Sequence, residues 1–342
     1  MIELPPQMRR RFEALIAPIN VALSQHGQPP IGPAILERNL PQGRLAPAGA
    51  VSANGSCRLL RAANGWVALN LARPEDEEAL PALFQAPQDG PAWDFAARGC
   101  GRMTTEALVE RATLLGLPLA ALGEAVGLAA STTDKIGHLA LGASRRFRVV
   151  DLSSLWAGPL CGHLLARMGC DVVKLESRAR PDAARLATPQ FYADLNDAKS
   201  RQVVDFATHS GRRNLRGALE EADIVIEASR PRALEQLGID AAALVRSRPG
   251  KIWVSLTAHG RQGSAGLRVG FGDDAAVAGG LTAQVGDQPH FLGDAIADPL
   301  GGLAATRAVL DAMAGGGGVL IDVRLSGAAA EIAGAAAHRA VA

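Results

Sequence analysis

Four aspartates, Asp273, Asp274, Asp294 and Asp298, fall close together in a Gly- and Ala-rich part of the chain. A carboxylate in a water-poor cleft can attack a carbonyl carbon, or it can give and take a proton. Asp273 and Asp274 end the run Gly270-Phe271-Gly272-Asp273-Asp274 and open an expected helix at 275–279, where Asp also serves as a cap. Spacing alone favours the cap. A second group is basic: Arg178, Arg180, Arg185, Lys199, Arg201, Arg230, Arg232, Arg246 and Arg248 flank expected strands. Such loops suit a phosphorylated small molecule, and equally a solvated surface. A third feature is the loop 151–159, DLSSLWAGP, between an expected strand and helix. Its small residues let backbone N–H groups approach an anion at a helix N-terminus. It is neither a Walker A loop nor G-x-G-x-x-G, so a plain strand-to-helix turn stands as the alternative. His259, in TAHGRQGS, ends an expected strand, where a functional histidine would sit.

These residues need a scaffold, and the pattern beyond residue 146 supplies one. Short apolar runs at 147–152, 171–175, 202–206, 223–227, 251–257 and 319–323 read as strands. Helices are expected at 160–168, 211–221, 233–237, 241–247 and 299–313. The alternation predicts a parallel sheet with right-handed crossovers, whose ligands sit outside the strand carboxyl ends. The first part of the chain reads differently. An amphipathic helix followed by a loop is expected over 1–27, an irregular Pro/Gly-rich connection over 28–55 and a strand at 66–71. Helices are expected at 74–84, at 104–115 with Thr104 or Thr105 as its cap, and at 117–126. Composition shifts at 131–146. The fold class expected is therefore α/β: a Rossmann-like parallel-sheet large domain over 146–330, joined to a smaller mixed α+β domain with an N-terminal helix over 1–135.

With 342 residues the chain is long enough for two domains, and 48% hydrophobic residues make it globular. A net charge of +1 argues against a polycation built for nucleic acid. The four cysteines form no CxxC pair and no zinc spacing, so no metal is expected and a reducing, cytoplasmic compartment fits. The first residues lack the apolar core of a signal peptide, and no stretch of about 18 uncharged apolar residues suggests a membrane span.

The segment VVDLSSLWAGPLCGHLLARMGCDVVKLE resembles the opening of class III CoA transferases and the related α-methylacyl-CoA racemases, the CaiB/BaiF-type family. Further matches follow in order: LNDAKSRQVVDF, ADIVIEASRPRALEQLGID, KIWVSLTAHGRQGS and DAIADPLGGLAATRAVLDAM. Together they cover nearly all of 147–324. In the first half, NGWVALNLARPEDEEALPALF and MTTEALVERATLLGLPLAALGEAV resemble the small domain of the family. That domain usually follows the large one. Here it precedes it, as in a permuted chain or in a piece of a fused, double-length ancestor.

The resemblance implies CoA or acyl-CoA as substrate, no tightly bound cofactor, a carboxylic acid as the other partner, and a homodimer. By position it assigns CoA binding to Ser154, Leu155, Ala157, Arg178, Arg185, Lys199 and Arg230, in keeping with the affinity of basic side chains for phosphates. Transferases of the family use an Asp nucleophile that forms an acyl anhydride and then an aspartyl-CoA thioester. Aligned without a gap, that place falls on Gly272; a one-residue shift restores Asp273, with Asp274 as the alternative. Asp298 matches the second acid of the racemases, whose His has no counterpart because Phe271 stands near its place. Asp197 stands where the family has Arg in N-R-G-K. The leading expectation is a CoA transferase. A degenerate relative that binds CoA without transferring it is the alternative, and a racemase is third.

Overall fold

The computed structural model describes residues 4–38, 40, 43, 45–140 and 146–334. Helix α1 (Pro6–Gln25) opens on a proline at its first turn, where the missing N–H is no loss. Its buried residues Phe12, Leu15, Ile16, Ile19 and Leu23 recur at helical spacing and form one apolar stripe. A small lobe follows. Strands β1 (Cys57–Arg61) and β2 (Trp66–Asn70) pair as an antiparallel hairpin. Four helices, α2 (Pro74–Glu78), α3 (Leu80–Phe84), α4 (Ala92–Cys100) and α5 (Thr105–Leu115), lead to strand β3 (Leu119–Ala121), which pairs antiparallel with β2. Thr104 caps α5 by accepting from the Ala107 N–H. Leu69, Leu80, Leu83, Phe95 and Leu108 are the heart of this lobe's own core.

The large lobe is the expected α/β layer structure. Strand β4 (Ser131–Lys135) comes first, then β5 (Arg148–Asp151), α6 (Ala157–Arg167), β6 (Asp171–Ser177), α7 (Ala184–Ala187), α8 (Pro189–Asn196) and β7 (Ser200–Val204). The chain continues through α9 (His209–Glu221), β8 (Ile224–Glu227), α10 (Pro231–Gln236), α11 (Ala241–Ser247) and β9 (Ile252–Thr257). It ends with α12 (Gly272–Ala278), the hairpin β10 (Thr282–Val285) and β11 (Gln288–Phe291), α13 (Ala297–Ala314), β12 (Val319–Arg324) and α14 (Leu325–Ala333). The seven-stranded sheet has the order β4-β12-β9-β8-β5-β6-β7, parallel throughout except for β4 at one edge. The parallel part starts in the middle at β5, runs outward to β7, and then crosses to β8 on the other side. The switch point lies between β5 and β8, and a crevice opens there at the strand carboxyl ends.

One sequence expectation needs correction. Residues 117–126 are not a helix, because Leu119–Ala121 satisfies its backbone on the edge of β2. Within 131–146, where composition shifts, Ser131–Lys135 forms a strand that pairs with β12. Its polar side chains disguise a strand whose β-branched threonines suit an exposed sheet edge. α1, grouped from the sequence with residues 1–135, packs on α13 and α14 of the large lobe. Among the described residues no helix is long and apolar enough to cross a membrane.

Candidate functional site

Asp151 ends β5 fully buried, and the loop beyond it is folded around this carboxylate. Oδ1 accepts from the Ser153 N–H at 3.0 Å and also from the Ser153 hydroxyl. Oδ2 accepts from Lys199 Nζ at 2.8 Å. Lys199 gives its other protons to the Pro159 carbonyl at 2.8 Å and to Asn196 Oδ1 at 2.9 Å. A second buried pair lies alongside. Lys174 Nζ donates to the Ser153 carbonyl and lies 3.3 Å from Asp182. Asp182 in turn accepts from the N–H groups of Leu155 at 3.1 Å and Ala184 at 3.0 Å. These bonds hold Leu155 at φ 68°, a conformation unusual for a leucine. Burial pushes the Asp151 carboxyl up, but the charges of Lys199 and Lys174 outweigh it and hold it below the ordinary range. Burial likewise drives Lys199 down, against the pull of Asp151.

The glycines of α6 make this packing possible. A Cβ on Gly158 would lie 2.1 Å from Ser153 Oγ, and one on Gly162 would lie 2.9 Å from Asp151 Oδ2. The AGPLCG stretch is therefore cut to fit the charged pair beneath it.

Above the loop, at the switch point, is a cavity of about 260 Å³. Its walls are the loop 152–157, Ala228 and Ser229 beyond β8, Leu256, Thr257 and Ala258 at the end of β9, Gly270 and Phe271 before α12, Leu325, and Asp298. The N-terminus of α6 opens into it, so unpaired backbone N–H groups and the positive end of the helix face the space. A larger cleft of about 510 Å³ lies beside α10 and α11, but its buried acid Glu227 is tied to Ser229 and Ser255.

The acids cluster at the cavity's inner side. Asp273, only 3% exposed, accepts from the Ala295 N–H at 2.9 Å. Burial raises it to about 6. Asp274 is completely buried and accepts through Oδ1 from the Phe271 N–H at 2.9 Å and from Asn70 Nδ2 at 3.1 Å. Burial raises it to about 7. Asp298, half-buried in the first turn of α13, is raised to about 8 by burial, with Arg38 pulling it down and Asp273, Asp274 and Asp294 pushing it up. Arg38 is the counter-charge: its Nε donates to Asp294 Oδ2 at 2.5 Å, and its guanidinium lies 5.3 Å from the Trp156 ring centroid.

Of the residues singled out from the sequence, Ser154, Leu155, Ala157 and Asp298 meet at the cavity. Asp273 and Asp274 do not line it. Arg178 and Arg230 are exposed at the carboxyl edge of the sheet, while Arg185 is held by Glu176 at 3.0 Å. Lys199 lies beneath the loop, with its three donors given to Asp151, Pro159 and Asn196. Sequence reasoning missed Arg38, Asn70 and Asp182. Arg38 and Asn70 reach the acids from positions more than two hundred residues away, and no local pattern marks them. Among the described residues no three His, Cys, Asp or Glu side chains are grouped to hold a metal ion.

Comparison with known proteins adds a family. A "probable fatty acyl-CoA transferase", Rv3272 of Mycobacterium tuberculosis, is 30% identical over 179 residues, 49% of this chain and 45% of that protein. Succinate–glutarate CoA-transferase of Agrobacterium fabrum is 32% identical over 200 residues, 52% of this chain and 50% of that protein. The crystal structure of a CAIB/BAIF family protein from Brucella suis superposes with a TM-score of 0.50 at 30% identity, covering 54% of this chain and 53% of that one. The chain spans about half the length of the curated relatives it matches. The sequence profile of CoA-transferase family III matches residues 145–342. With more than half of its residues under that profile, the chain belongs to CoA-transferase family III.

Proposed function

We propose that the cavity at the β5/β8 switch point takes the thioester end of an acyl-CoA, and that Asp298 is the acid that reacts with it. The observation that carries this reading is that Asp298 alone of the three candidate acids borders the cavity, opposite the loop 152–157. In the proposed sequence the Asp298 carboxylate attacks the thioester carbonyl, forming a mixed anhydride and expelling CoA thiolate. The thiolate then attacks the Asp298 acyl carbon, giving an aspartyl-CoA thioester and a free carboxylate. A second carboxylate attacks that thioester, and the returning thiolate takes the new acyl group and frees Asp298. The backbone N–H groups at the start of α6 would stabilise the oxyanion. Arg178 and Arg230 are the proposed contacts for the CoA phosphates, and Ser154, Leu155 and Ala157 for the pantetheine end. The relatives named as CoA transferases support this reaction class.

The test is to incubate the chain with succinyl-CoA, quench with hydroxylamine and map the hydroxamate by mass spectrometry. A label on Asp298 is expected. A label on Asp273 or Asp274 overturns the assignment. CoA binding by calorimetry with no label and no transfer favours the degenerate binder instead, a reading motivated by Gly272.

A further inference from the structure

His259 has no part in the reaction above, yet it lies against the same acids. It is 7% exposed, and its Nε2 is buried with no hydrogen-bond partner among the described residues. Asp274 Oδ2 is in the same state, while its Oδ1 is fully engaged by Phe271 and Asn70. The two orphaned atoms converge on one point. A Cβ on Gly270 would lie 2.6 Å from Asp274 Oδ2 and 3.1 Å from His259 Nε2. Gly270 itself is part of the cavity wall. Buried polar atoms left unpaired are costly, and two of opposite capacity facing one gap are matched by a single proton.

We propose that Asp274 and His259 hold one proton between Oδ2 and Nε2 behind Gly270, and that this proton sets the charge Asp298 meets across the cavity wall. The inference rests on Asp298 as the reacting acid. His259 is a positioning residue here, acting only through Asp274. Burial drives the imidazole down to about 3, with Arg268 adding to the effect, so His259 stays neutral and serves as an acceptor. The carboxyl of Asp274 is the group that carries the proton. The charged or titratable groups facing Asp274 are Asp273 on its own helix, Asp298 from α13 and Cys57 from β1, while Arg268 faces His259 and Arg38 and Asp294 act on Asp273 and Asp298. With the proton in place Asp274 is neutral, and Asp298 ionises against one negative charge fewer.

The experiment uses the full chain with D274N, H259F and the double variant. The first readout is the pH profile of CoA transfer from succinyl-CoA to glutarate. D274N mimics the protonated acid, so its profile is expected to move toward lower pH by about one unit, the order for a unit charge a few ångströms away. H259F deprives the proton of its acceptor, so its profile is expected to move the other way. The double variant is expected to match D274N, because His259 acts only through the carboxyl. Shifts in the same direction, or a further shift from H259F on the D274N background, overturn the proposal. The second readout needs no activity. In a thermal double-mutant cycle the 259–274 coupling should be worth about 3 °C near pH 5.5 and vanish near pH 8.5. A coupling that is absent or pH-independent overturns the pair even if Asp298 is labelled. A coupling that appears as expected leaves the pair standing if transfer from succinyl-CoA fails. Should H259F not fold, D274N alone decides by the direction of its shift.

Discussion

The carboxyl carbon of Asp298 lies 2.8 Å from the point where a side chain on Gly272 would begin. The two residues belong to different helices, Gly272 to the first turn of α12 and Asp298 to the first turn of α13. The Ala295 carbonyl is closer still, 2.3 Å from that point, so backbone excludes any side chain at 272. An acid at this spot must come from α13.

D298N is therefore expected to abolish transfer, with a loss of about a thousandfold or more in kcat, the scale of removing a covalent nucleophile. D273N is expected to keep activity within about tenfold, because its carboxyl holds the Ala295 N–H and does not line the switch-point cavity. Steady-state rates with succinyl-CoA and glutarate compare the two. Equal losses would return the nucleophile to Asp273.

Arg38 is expected to set the working pH. It lowers Asp298 against the burial that raises it. In R38Q that help is gone, so the ascending limb of the kcat profile should move up by about one unit, with roughly tenfold lower activity at neutral pH. Titrating kcat and KM separately checks this. A change confined to KM would place Arg38 in substrate binding instead.

Stability should fall as pH rises. Asp273, Asp274 and Asp298 all hold their protons more tightly folded than unfolded, the folded values being about 6, 7 and 8 against 3.8. Their contribution is fully present below about pH 4 and is lost as pH climbs through the folded values. Asp151 runs the other way, being depressed, and its contribution is lost only in acid. Melting temperatures between pH 5 and 8.5 should therefore decline by several degrees, about 2–4 °C per kcal/mol for a chain of this size. D298N should flatten the alkaline end. A profile that rises over this range would contradict the buried-acid cluster.

The strands of the large lobe were legible because parallel strands buried on both faces read as short apolar runs between helices. The exceptions are physical. β3 consists of Leu119, Ala120 and Ala121, residues that helices like as well, and only the free edge of β2 decides for a strand. The hairpin of β10 and β11 carries Gln, His and Pro and no clear alternation. In the site, the loop 151–159 was readable as a strand-to-helix turn at the carboxyl edge of the sheet. Which aspartate faces it was not, because that depends on how α12 and α13 start around Ala295, a non-glycine residue at φ 44°. The burial of Lys199 was hidden for a related reason. A lysine at a strand's entrance looks solvated until Gly162 is seen to open a buried space for it.

That buried pair gives a further test. K199M leaves the Asp151 carboxylate with one lysine fewer in a dry setting and should cost about 3–5 kcal/mol in urea denaturation. The double variant D151L/K199M should recover part of the loss. If K199M is as stable as the wild type but binds CoA more weakly, Lys199 reaches the ligand after all.

The hydrogen bond from Asn70 to Asp274 joins β2 of the small lobe to the acid cluster of the large one, beside the bonds of Gly123 and Ala125 to Val277 and Ala278. Separating the two lobes would let water reach Asp274 and release its proton. Bringing them together again takes a proton up from the buffer. Any separation of the two lobes would thus be linked to proton uptake and release, and calorimetry in two buffers of different ionisation heat would see it as a difference in apparent enthalpy.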